Sequence, residues 1–321
     1  MVEITVTAVK ELDLRKLARF MYDARKNTVF DTESRTLEHL EESRKKVTSD
    51  DNIIFTAYEK DEIVGILRIF TGFPEIAFTS FWDPMITQEE GRERREEIAL
   101  DLIGFCKKYV KERDFSRLEI LLNPLTEKHS EIYEENKSWY EKAGFYKATE
   151  EVFMRIDLNK LELSIDQPKL LEGLRYERIE NVENERIIEP FFRAFSDRGD
   201  RLFRDMTKAQ QLVSFNYWLR RSQPFHRSSI VVMKDDSVVG LIVVRQNDET
   251  VEIGPVAVVP EYKRKGIMKA ALHESLRRMQ DDGIKFGELE ADAKNEPAIN
   301  LYKKFGFEIV HDQEYFAWRV E

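Results

Sequence analysis

The fold is decided by residues 252–272 of this 321-residue chain, which read EIGPVAVVPEYKRKGIMKAAL. An apolar strand ends at Pro260, a basic turn follows, and a helical pattern begins at about Gly266. The first turn of a helix offers backbone N–H groups without intrahelical acceptors, together with about half a positive charge. Three basic side chains stand immediately before this helix: Lys263, Arg264 and Lys265. The stretch therefore predicts a cradle for a diphosphate group, and an ordinary basic surface loop is the alternative interpretation.

A second informative stretch is found at residues 295–307, which read NEPAINLYKKFGF. Pro297 suits the first turn of a helix, and Gly306 suits its C-terminal cap. Spacings of three and four give this helix a common face formed by Ala298, Leu301, Tyr302 and Phe305. Taken by itself, the face indicates core packing, with the Tyr302 hydroxyl at the rim.

The two halves of the chain carry the same motifs in the same order. Residues 53–67 and residues 230–242 each read as a β-hairpin with a charged turn. In both halves, 26 positions separate the hairpin glycine from the glycine that opens a long helix (65 to 91 and 240 to 266). Residues 139–145 likewise resemble residues 301–307. The sequence therefore predicts a tandem repeat.

We expect two tandem domains, residues 1–158 and residues 170–321, joined by a linker at 159–169. Each is predicted to be an α/β fold of the α+β type, with a mixed, mostly antiparallel sheet flanked by helices. In the second half the pattern predicts a strand at 174–179, helices at 183–196 and 206–220, a hairpin and third strand at 229–258, a helix at 266–281, a strand at 285–291, a helix at 296–305 and closing strands at 307–320. The first half is expected to follow the same order, with an insertion in its longer helix and in the loop 123–136.

The composition argues against several classes of protein and of binding site. The net charge of −10 disfavours general binding to nucleic acid or to an anionic membrane, because both need clustered Lys and Arg, and it fits an amine substrate better. No stretch approaches the roughly 20 apolar residues of a membrane span, and the first residues lack the layout of a signal peptide. The single cysteine, Cys106, excludes a disulfide within one chain, so we expect a cytoplasmic protein. The five histidines are scattered singly, and no metal site is predicted.

Together, residues 263–268 (KRKGIM) and residues 295–307 resemble the signatures of the GNAT superfamily of acyl-CoA-dependent N-acyltransferases. The family's cradle reads Gln/Arg-x-x-Gly-x-Gly/Ala. Here Gly266 matches, Lys263 keeps the charge, and Met268 replaces a small residue. The second signature, Asn-x-x-Ala-x-x-Leu-Tyr-x-x-x-Gly-Phe, is matched at every named position.

The resemblance implies acetyl-CoA as the acyl donor and a small-molecule or peptide amine as the acceptor. It implies a diphosphate site formed by Lys263, Arg264, Lys265, Gly266, Ile267, Met268 and Lys269. By the same likeness, Asn295 contacts the pantetheine arm of CoA, and Tyr302 protonates the departing thiolate.

Gly254 and Pro255 interrupt an apolar strand, which predicts a bulge because proline cannot donate to a ladder. In the family such a bulge opens a gap where pantetheine pairs with strand backbone, here supplied by Val256 and Val258. Glu252 precedes the bulge, where the histone-acetylating branch of the family carries its general-base glutamate. A carboxylate at a cleft edge can take the proton of an ammonium group. Glu252 is thus the candidate general base, and an exposed strand glutamate is the alternative interpretation.

The first half resembles the same family more weakly. At its cradle position, residues 88–93 read QEEGRE, and carboxylates there should repel phosphate. Tyr140 takes the place of Tyr302, whereas Tyr133 replaces Asn295. We therefore expect a degenerate copy that binds no CoA and serves as a scaffold or as one wall of the acceptor pocket.

Three functions stay open at this point. The leading hypothesis is an acetyl-CoA-dependent N-acetyltransferase. The alternatives are a non-catalytic acyl-CoA-binding sensor or interaction module, and a peptidyl or long-chain acyltransferase. The sequence does not specify the acceptor, although arginines within residues 195–205 are one candidate clamp for a substrate carboxylate.

Overall fold

The computed structural model describes residues 3–8, 13–25, 50–80, 83–87, 90–122, 130–163, 168–198, 201–219, 225–247 and 249–320. The chain divides into two compact units. Unit 1 consists of Met1–Ala148 together with Gln313–Glu321, and unit 2 consists of Thr149–Asp312. Within the described ranges, no helix is long and apolar enough to cross a membrane.

Unit 1 contains a mixed sheet covered by helices. Its elements are β1 (Glu3–Ala8), α1 (Leu14–Arg25), β2 (Asn52–Glu59), β3 (Glu62–Phe73), β4 (Ile76–Ser80), β5 (Met85–Ile86), α2 (Arg92–Glu112), β6 (Arg117–Leu122) and α3 (Ser130–Lys142). The strand order is β1-β2-β3-β4-β6, followed by residues 314–319 of the last strand, β13 (Glu308–Arg319). β4 and β6 are parallel, and the other pairs are antiparallel.

Unit 2 repeats this arrangement. Its elements are β7 (Tyr146–Asp157), β8 (Leu174–Arg178), α4 (Asn184–Arg198), α5 (Arg201–Arg204), α6 (Lys208–Leu219), β9 (Ile230–Lys234), β10 (Ser237–Asn247), β11 (Thr250–Val258), α7 (Ile267–Asp281), β12 (Phe286–Asp292) and α8 (Glu296–Lys304). The strand order is β7-β12-β11-β10-β9-β8, and only β11 and β12 among these described pairs are parallel.

These elements confirm the predicted fold: each unit has a mixed and mostly antiparallel sheet, with a helix, α2 or α7, in the connection between its two parallel strands. The longer helix of the first half is also confirmed, since α2 has 21 residues and α7 has 15. The short helix α5 was missed, and the predicted closing strands form the single strand β13. Half of the predicted loop insertion, residues 123–129, lies outside the described residues, and the other half, residues 130–136, belongs to helix α3 instead of a loop.

The compact units differ from the expected boundaries of 1–158 and 170–321. Residues 151–157 of β7 pair with β12 in unit 2, and residues 314–319 of β13 pair with β6 in unit 1. Each sheet is therefore completed by a strand that the sequence repeat assigns to the other half. A strand's own pattern shows that it is half-buried, but its partner depends on tertiary register.

The core of unit 2 positions the site described below. One stripe of α7 is buried, formed by Ile267, Ala271, Leu272, Leu276 and Met279, and it packs on the sheet together with residues of β10 and β11. The opposite sheet face is covered by α4 and α6, whose Phe191 and Phe215 are buried with ring centroids 5.1 Å apart. Because both faces of the central strands are covered, β9 and β10 are almost continuously apolar.

Candidate active site

The predicted bulge lies in β11. Ile242 of β10 pairs with Val256, and Val244 pairs with Ile253, so β11 holds one more residue than β10 between these two pairs. Gly254 and Pro255 are the two residues of β11 that lie between these pairs, so the predicted β-bulge is confirmed.

The strands β11 and β12 separate directly beyond Glu252. They pair over three residues only, ending at Glu252 and Glu288. β12 then continues to pair with β7 as far as Asp292, while the rest of β11 turns away from it. A cleft of about 1450 Å³ opens between the two strands and is also lined by α7 and α8. Val256 and Val258 lie on the β11 wall of this cleft.

The N-terminus of α7 forms one end of the cleft. Gly266 is its N-cap, with φ of +77°, no side-chain cap and no acidic residue in the following turn. The first intrahelical bond runs from Ala270 N to Gly266 O, at 3.0 Å, so the N–H groups of Ile267 to Lys269 have no acceptor within the helix. Arg264 is also left-handed, with φ of +63°. Left-handed residues in such a turn are typical of backbone nests that bind anions.

The predicted diphosphate residues line the cleft with one exception. Lys263, Arg264 and residues 266–269 all do so, whereas Lys265 does not. The Lys265 ammonium lies 5.0 Å from the ring centroid of Tyr262 instead.

The unexpected Met268 has a structural explanation. A Cβ built on Gly240 would lie 3.0 Å from the Met268 terminal methyl group. The methionine side chain thus packs over a glycine of β10, which leaves room for it beneath the helix.

The second signature supplies two polar groups to the cleft. Asn295 caps α8, its Oδ1 accepting from Ala298 N at 3.4 Å, and its amide nitrogen is not used by this cap. The Tyr302 side chain is 6% exposed and lines the cleft. Its hydroxyl forms no hydrogen bond within the described part of the chain. Burial raises the pKa of Tyr302, which therefore keeps its proton.

Glu252 belongs to a row of charged residues across four neighbouring strands. Arg245 is its cross-strand partner on β10, Glu288 is its partner on β12, and Arg155 follows on β7. Arg245 is buried, with its guanidinium 4.4 Å from the ring centroid of Phe225. Arg155 Nε and Glu288 Oε1 lie 3.4 Å apart. Register partners project from the same sheet face, so Glu252 has a cation on one side and a carboxylate on the other.

Sequence reasoning missed most of the acidic groups of the cleft. In addition to Glu252, its lining includes Glu151, Glu288, Glu290 and Asp292. It also missed the aromatic wall formed by Phe153, Phe191, Phe195 and Phe203. The alternation of residues along β7 and β12 indicates which of their side chains share a sheet face. Only the pairing of β12 with β7 and with β11 shows that these side chains lie near Glu252. Side chains 196–202, including most of the predicted arginine clamp, lie outside what the structure describes.

The corresponding region of unit 1 differs at its helix rather than in its strands. β4 pairs with β6 as far as Ser80 and Leu121, and β5 beyond it pairs with β3, as the end of β11 pairs with β10 in unit 2. Gly91 at the start of α2 has φ of −64° and is followed by Glu93 in the first turn. Of the three carboxylates predicted to repel phosphate, Glu89 lies outside the described residues, whereas Glu90 and Glu93 lie within them.

The tyrosine of unit 1 is a core residue. Tyr140 is fully buried and donates a hydrogen bond to Asp83 O at 2.7 Å. The Asp83 carboxylate in turn accepts bonds from Arg68, including one of 2.7 Å. Tyr140 and Tyr302 therefore differ, because the Tyr140 hydroxyl is bonded within the core whereas Tyr302 lines the cleft.

Comparisons with known families agree with this architecture. A model of the acetyltransferase (GNAT) family matches residues 185–307, and a model of an acetyltransferase (GNAT) domain matches residues 6–156. The chain therefore belongs to the GNAT acetyltransferase superfamily and carries the fold twice.

Curated relatives match parts of the chain. The mycothiol acetyltransferase of Brachybacterium faecium is 27% identical over 147 residues, which cover 43% of this chain and 42% of the relative. The N-alpha-acetyltransferase of Saccharolobus solfataricus is 31% identical over 109 residues, which cover 30% of this chain and 65% of the relative. The matches thus span less than two thirds of either relative.

Two solved structures resemble the whole chain. A GCN5-related N-acetyltransferase from Sphaerobacter thermophilus has a TM-score of 0.67 at 14% identity, covering 99% of this chain and 95% of its own. A tandem GNAT protein from the clavulanic acid biosynthesis pathway has a TM-score of 0.62 at 14% identity, covering 99% and 98%. At these identities the likeness establishes the fold.

Proposed function

We propose that this protein is an acetyl-CoA-dependent N-acetyltransferase, that unit 2 carries the reaction, and that a primary amine is the acceptor. One observation carries the proposal. The pairing of β11 with β12 stops at Glu252, and the cleft that opens there is also lined by the uncapped start of α7 and by Tyr302. Membership of both halves in an acetyltransferase family supports acetyl transfer.

Different groups of unit 2 contact the diphosphate and the pantetheine arm of acetyl-CoA. The positive end of α7 and the N–H groups of Ile267 to Lys269 bind the diphosphate, and the bare Gly266 permits its close approach. The unpaired edge of β11 at Val256 and Val258 offers backbone groups to the amides of the pantetheine arm. The Asn295 amide nitrogen, left over by the helix cap, donates to the same arm.

Glu252 and Tyr302 carry the proton transfers. Acetyl transfer forms a carbon–nitrogen bond as the carbon–sulfur bond of the thioester breaks, so the amine loses a proton and the sulfur gains one. Alkyl amines are protonated near neutral pH, the reference pKa of lysine being about 10.4, so a base must act first. The Glu252 carboxylate takes this proton, and the Tyr302 hydroxyl, which burial keeps protonated, supplies the proton to sulfur.

The charge of the cleft favours a cationic acceptor. Five carboxylates line its strands, at Glu151, Glu252, Glu288, Glu290 and Asp292, whereas Arg245 is the one cation that the described strands contribute to this lining. Such an excess attracts an ammonium group and repels a carboxylate. The neighbouring phenylalanines suit an apolar portion of the acceptor. The relatives are named for acetylation of mycothiol and of N-alpha groups, and here we propose a small-molecule or peptide amine.

A panel of amines tests the proposal. Thiol release from acetyl-CoA is followed with monoamines, diamines, peptide amines and free amino acids as acceptors. We expect amine-dependent release, faster for acceptors without a carboxylate beside the amine. Acetyl-CoA binding without thiol release for any amine would contradict catalysis and favour the sensor. Faster release with longer acyl-CoA donors would instead favour the long-chain acyltransferase.

A further inference from the structure

Arg245 is a charged residue in an otherwise apolar part of unit 2. It lies on the central strand β10, directly after residues 238–244, which read VVGLIVV, and it is 2% exposed. Removing an ionised group from water is costly unless an opposite charge offsets it, so an arginine at this position requires a nearby anion. Glu252 on β11 is its partner across the strand pair, and both residues line the cleft.

An aromatic ring fixes the guanidinium group of Arg245. The ring centroid of Phe225 lies 4.4 Å from the guanidinium carbon, and Phe225 also forms a β-bridge with Arg245. The segment that carries this ring is anchored on β10, because His226 N donates to Val244 O at 2.8 Å. An arginine stacked on an aromatic ring presents its N–H donors at the edge of the guanidinium plane. The packing thus sets the plane of this group beside β11.

Two glutamates lie side by side where the cleft opens, and an arginine flanks each of them. Glu252 and Glu288 are register partners on the parallel strands β11 and β12. Beyond Glu288, Arg155 Nε lies 3.4 Å from Glu288 Oε1, and its guanidinium carbon is 4.0 Å from the ring centroid of Phe286. On the other side, Arg245 is the partner of Glu252. Like charges on opposed positions of a sheet repel, so each arginine offsets one carboxylate.

The two carboxylates are close enough in register to compete for one proton. When two carboxylates share a site, one of them holds a proton at a pH where a single carboxylate is ionised, and a neighbouring cation opposes this. A protonated Glu252 could not take the proton of an acceptor amine. Arg155 meets Glu288 from the far side, so Arg245 is the cation next to Glu252 on the described strands.

The other charges of the cleft lie farther from Glu252 in the fold. Among the described residues, α4 and α5 contribute only apolar side chains to the lining: Phe191, Ala194, Phe195 and Phe203. The remaining cations of the lining lie on the turn before α7, on α7 and on α8: Lys263, Arg264, Lys269 and Lys304. The remaining carboxylates follow along β12 and β7: Glu151, Glu290 and Asp292. These carboxylates add to the negative potential that Arg245 offsets at Glu252.

We propose that Arg245 is a positioning residue for acetyl transfer, which holds the Glu252 carboxylate at the edge of the cleft and keeps it ionised beside Glu288. This inference rests on the proposed function, in which Glu252 takes the proton of the acceptor amine. Arg245 acts through its strand partner and touches neither donor nor acceptor in this role. The acceptor reaction should therefore depend on Arg245 most strongly at low pH, where Glu252 is closest to taking a proton from solvent.

The pH dependence of kcat/KM for the acceptor tests this role. Arg245→Gln removes the charge but keeps a hydrogen-bonding side chain. The decline of kcat/KM towards low pH should begin about one unit or more higher than in wild type, which is the effect of losing a nearby opposite charge. At the pH where wild type is half-maximal, the variant should be about fivefold slower. Arg245→Lys should retain most of the wild-type profile, and calorimetry should show an unchanged Kd for acetyl-CoA in both variants.

Lys285→Met is the matched control. Lys285 lies directly before β12, and its Nζ is 2.7 Å from Glu249 Oε1 at the start of the same strand pair, but it does not line the cleft. This variant loses one positive charge and should keep the wild-type pH profile. An equal shift in Lys285→Met would mean that net charge sets the profile, and it would overturn the role of Arg245.

A double variant shows whether Arg245 acts through Glu252. Arg245→Gln should slow the Glu252→Gln variant no further, because the carboxylate that it positions is already lost. A further loss would indicate a packing role and would overturn the inference. If Arg245→Gln does not fold or bind acetyl-CoA, Phe225→Leu decides, since it removes the ring that fixes the guanidinium plane. It should shift the profile in the same direction, and an unchanged profile would overturn the inference.

The outcomes separate this inference from the proposed function. Wild type that releases no thiol with any amine contradicts the proposed function and the inference with it. Glu252→Gln with wild-type activity contradicts the base and likewise removes the role of Arg245. Slow turnover in Glu252→Gln, together with a wild-type pH profile in Arg245→Gln, overturns the positioning role alone. Equal loss at every pH in Arg245→Gln would also overturn it, because a packing role has no pH dependence of this kind.

Discussion

Gly266 allows the diphosphate site to be tested apart from folding. Its φ of +77° is left-handed, and a Cβ built on it would meet no atom within 4 Å. Gly266→Ala should therefore lower the free energy of unfolding only through backbone conformation, by about 1–2 kcal/mol. Donor binding should suffer separately, because the new methyl group occupies space next to the phosphate. Losing one hydrogen bond to a charged group is worth about 1.5–3 kcal/mol, or about ten- to hundredfold in Kd.

Gly283 is the matched control. It follows the other end of α7 with φ of +71°, its Cβ position is equally open, and it does not line the cleft. Urea unfolding should show similar losses for Gly266→Ala and Gly283→Ala. Calorimetry with acetyl-CoA should show weakened binding for Gly266→Ala only. Unchanged affinity in Gly266→Ala, or equal loss of affinity in both variants, would refute a diphosphate site at this helix end.

Four further predictions concern the tyrosines, the base and the stoichiometry. Tyr302→Phe should slow steady-state turnover by about 10²- to 10⁴-fold with little change in the Kd of acetyl-CoA, because the hydroxyl acts as thiolate charge develops. Equal losses of turnover and of affinity for acetyl-CoA would indicate a packing role. Burial raises the pKa of Tyr302, so wild-type turnover should not fall through deprotonation of this acid below the ordinary tyrosine pKa of about 10. Tyr140→Phe should leave turnover unchanged. It should lower the free energy of unfolding by about 1 kcal/mol, because it removes the hydrogen bond to Asp83 O. Slower turnover in this variant would contradict a scaffold role for unit 1. Glu252→Gln should slow turnover by about 10²- to 10⁴-fold near pH 7, and the loss should shrink as pH rises because a deprotonated amine needs no base. A pH–rate profile of this variant within about threefold of wild type would exclude Glu252 as the base. Calorimetry should give one acetyl-CoA per chain, and two equivalent sites would contradict the exclusion of CoA from unit 1 by the carboxylates at the start of α2.

The elements were predictable because they depend on local patterns. The helix expected at 266–281 spans Ile267–Asp281, and the helix expected at 296–305 spans Glu296–Lys304. Both are bounded by residues with fixed conformational preferences, such as the left-handed Gly266 and the glycine at 306, whose φ is +90°. Hairpins and strands were predictable for the same reason, because turn residues and the two-residue alternation of apolar side chains are recognisable within a few residues.

The boundaries of the compact units were not predictable in this way. Residues 151–157 and 314–319 each alternate as a strand should, and nothing in that alternation specifies the neighbouring strand. The sequence repeat assigned each strand to its own half, whereas the sheets pair it with the other. Pairing is chosen by packing and register over the whole sheet.

The sequence by itself determined the tandem fold, the bulge before the cradle and the glycine that opens α7, because each depends on backbone preferences within a short segment. Only the tertiary structure decided that Met268 packs over Gly240, and that the Tyr140 hydroxyl bonds to Asp83 O in a core whereas Tyr302 lines the cleft. It also decided which carboxylates surround Glu252. The physical reason is that these contacts join residues distant in sequence, whose separation depends on strand register and side-chain volume.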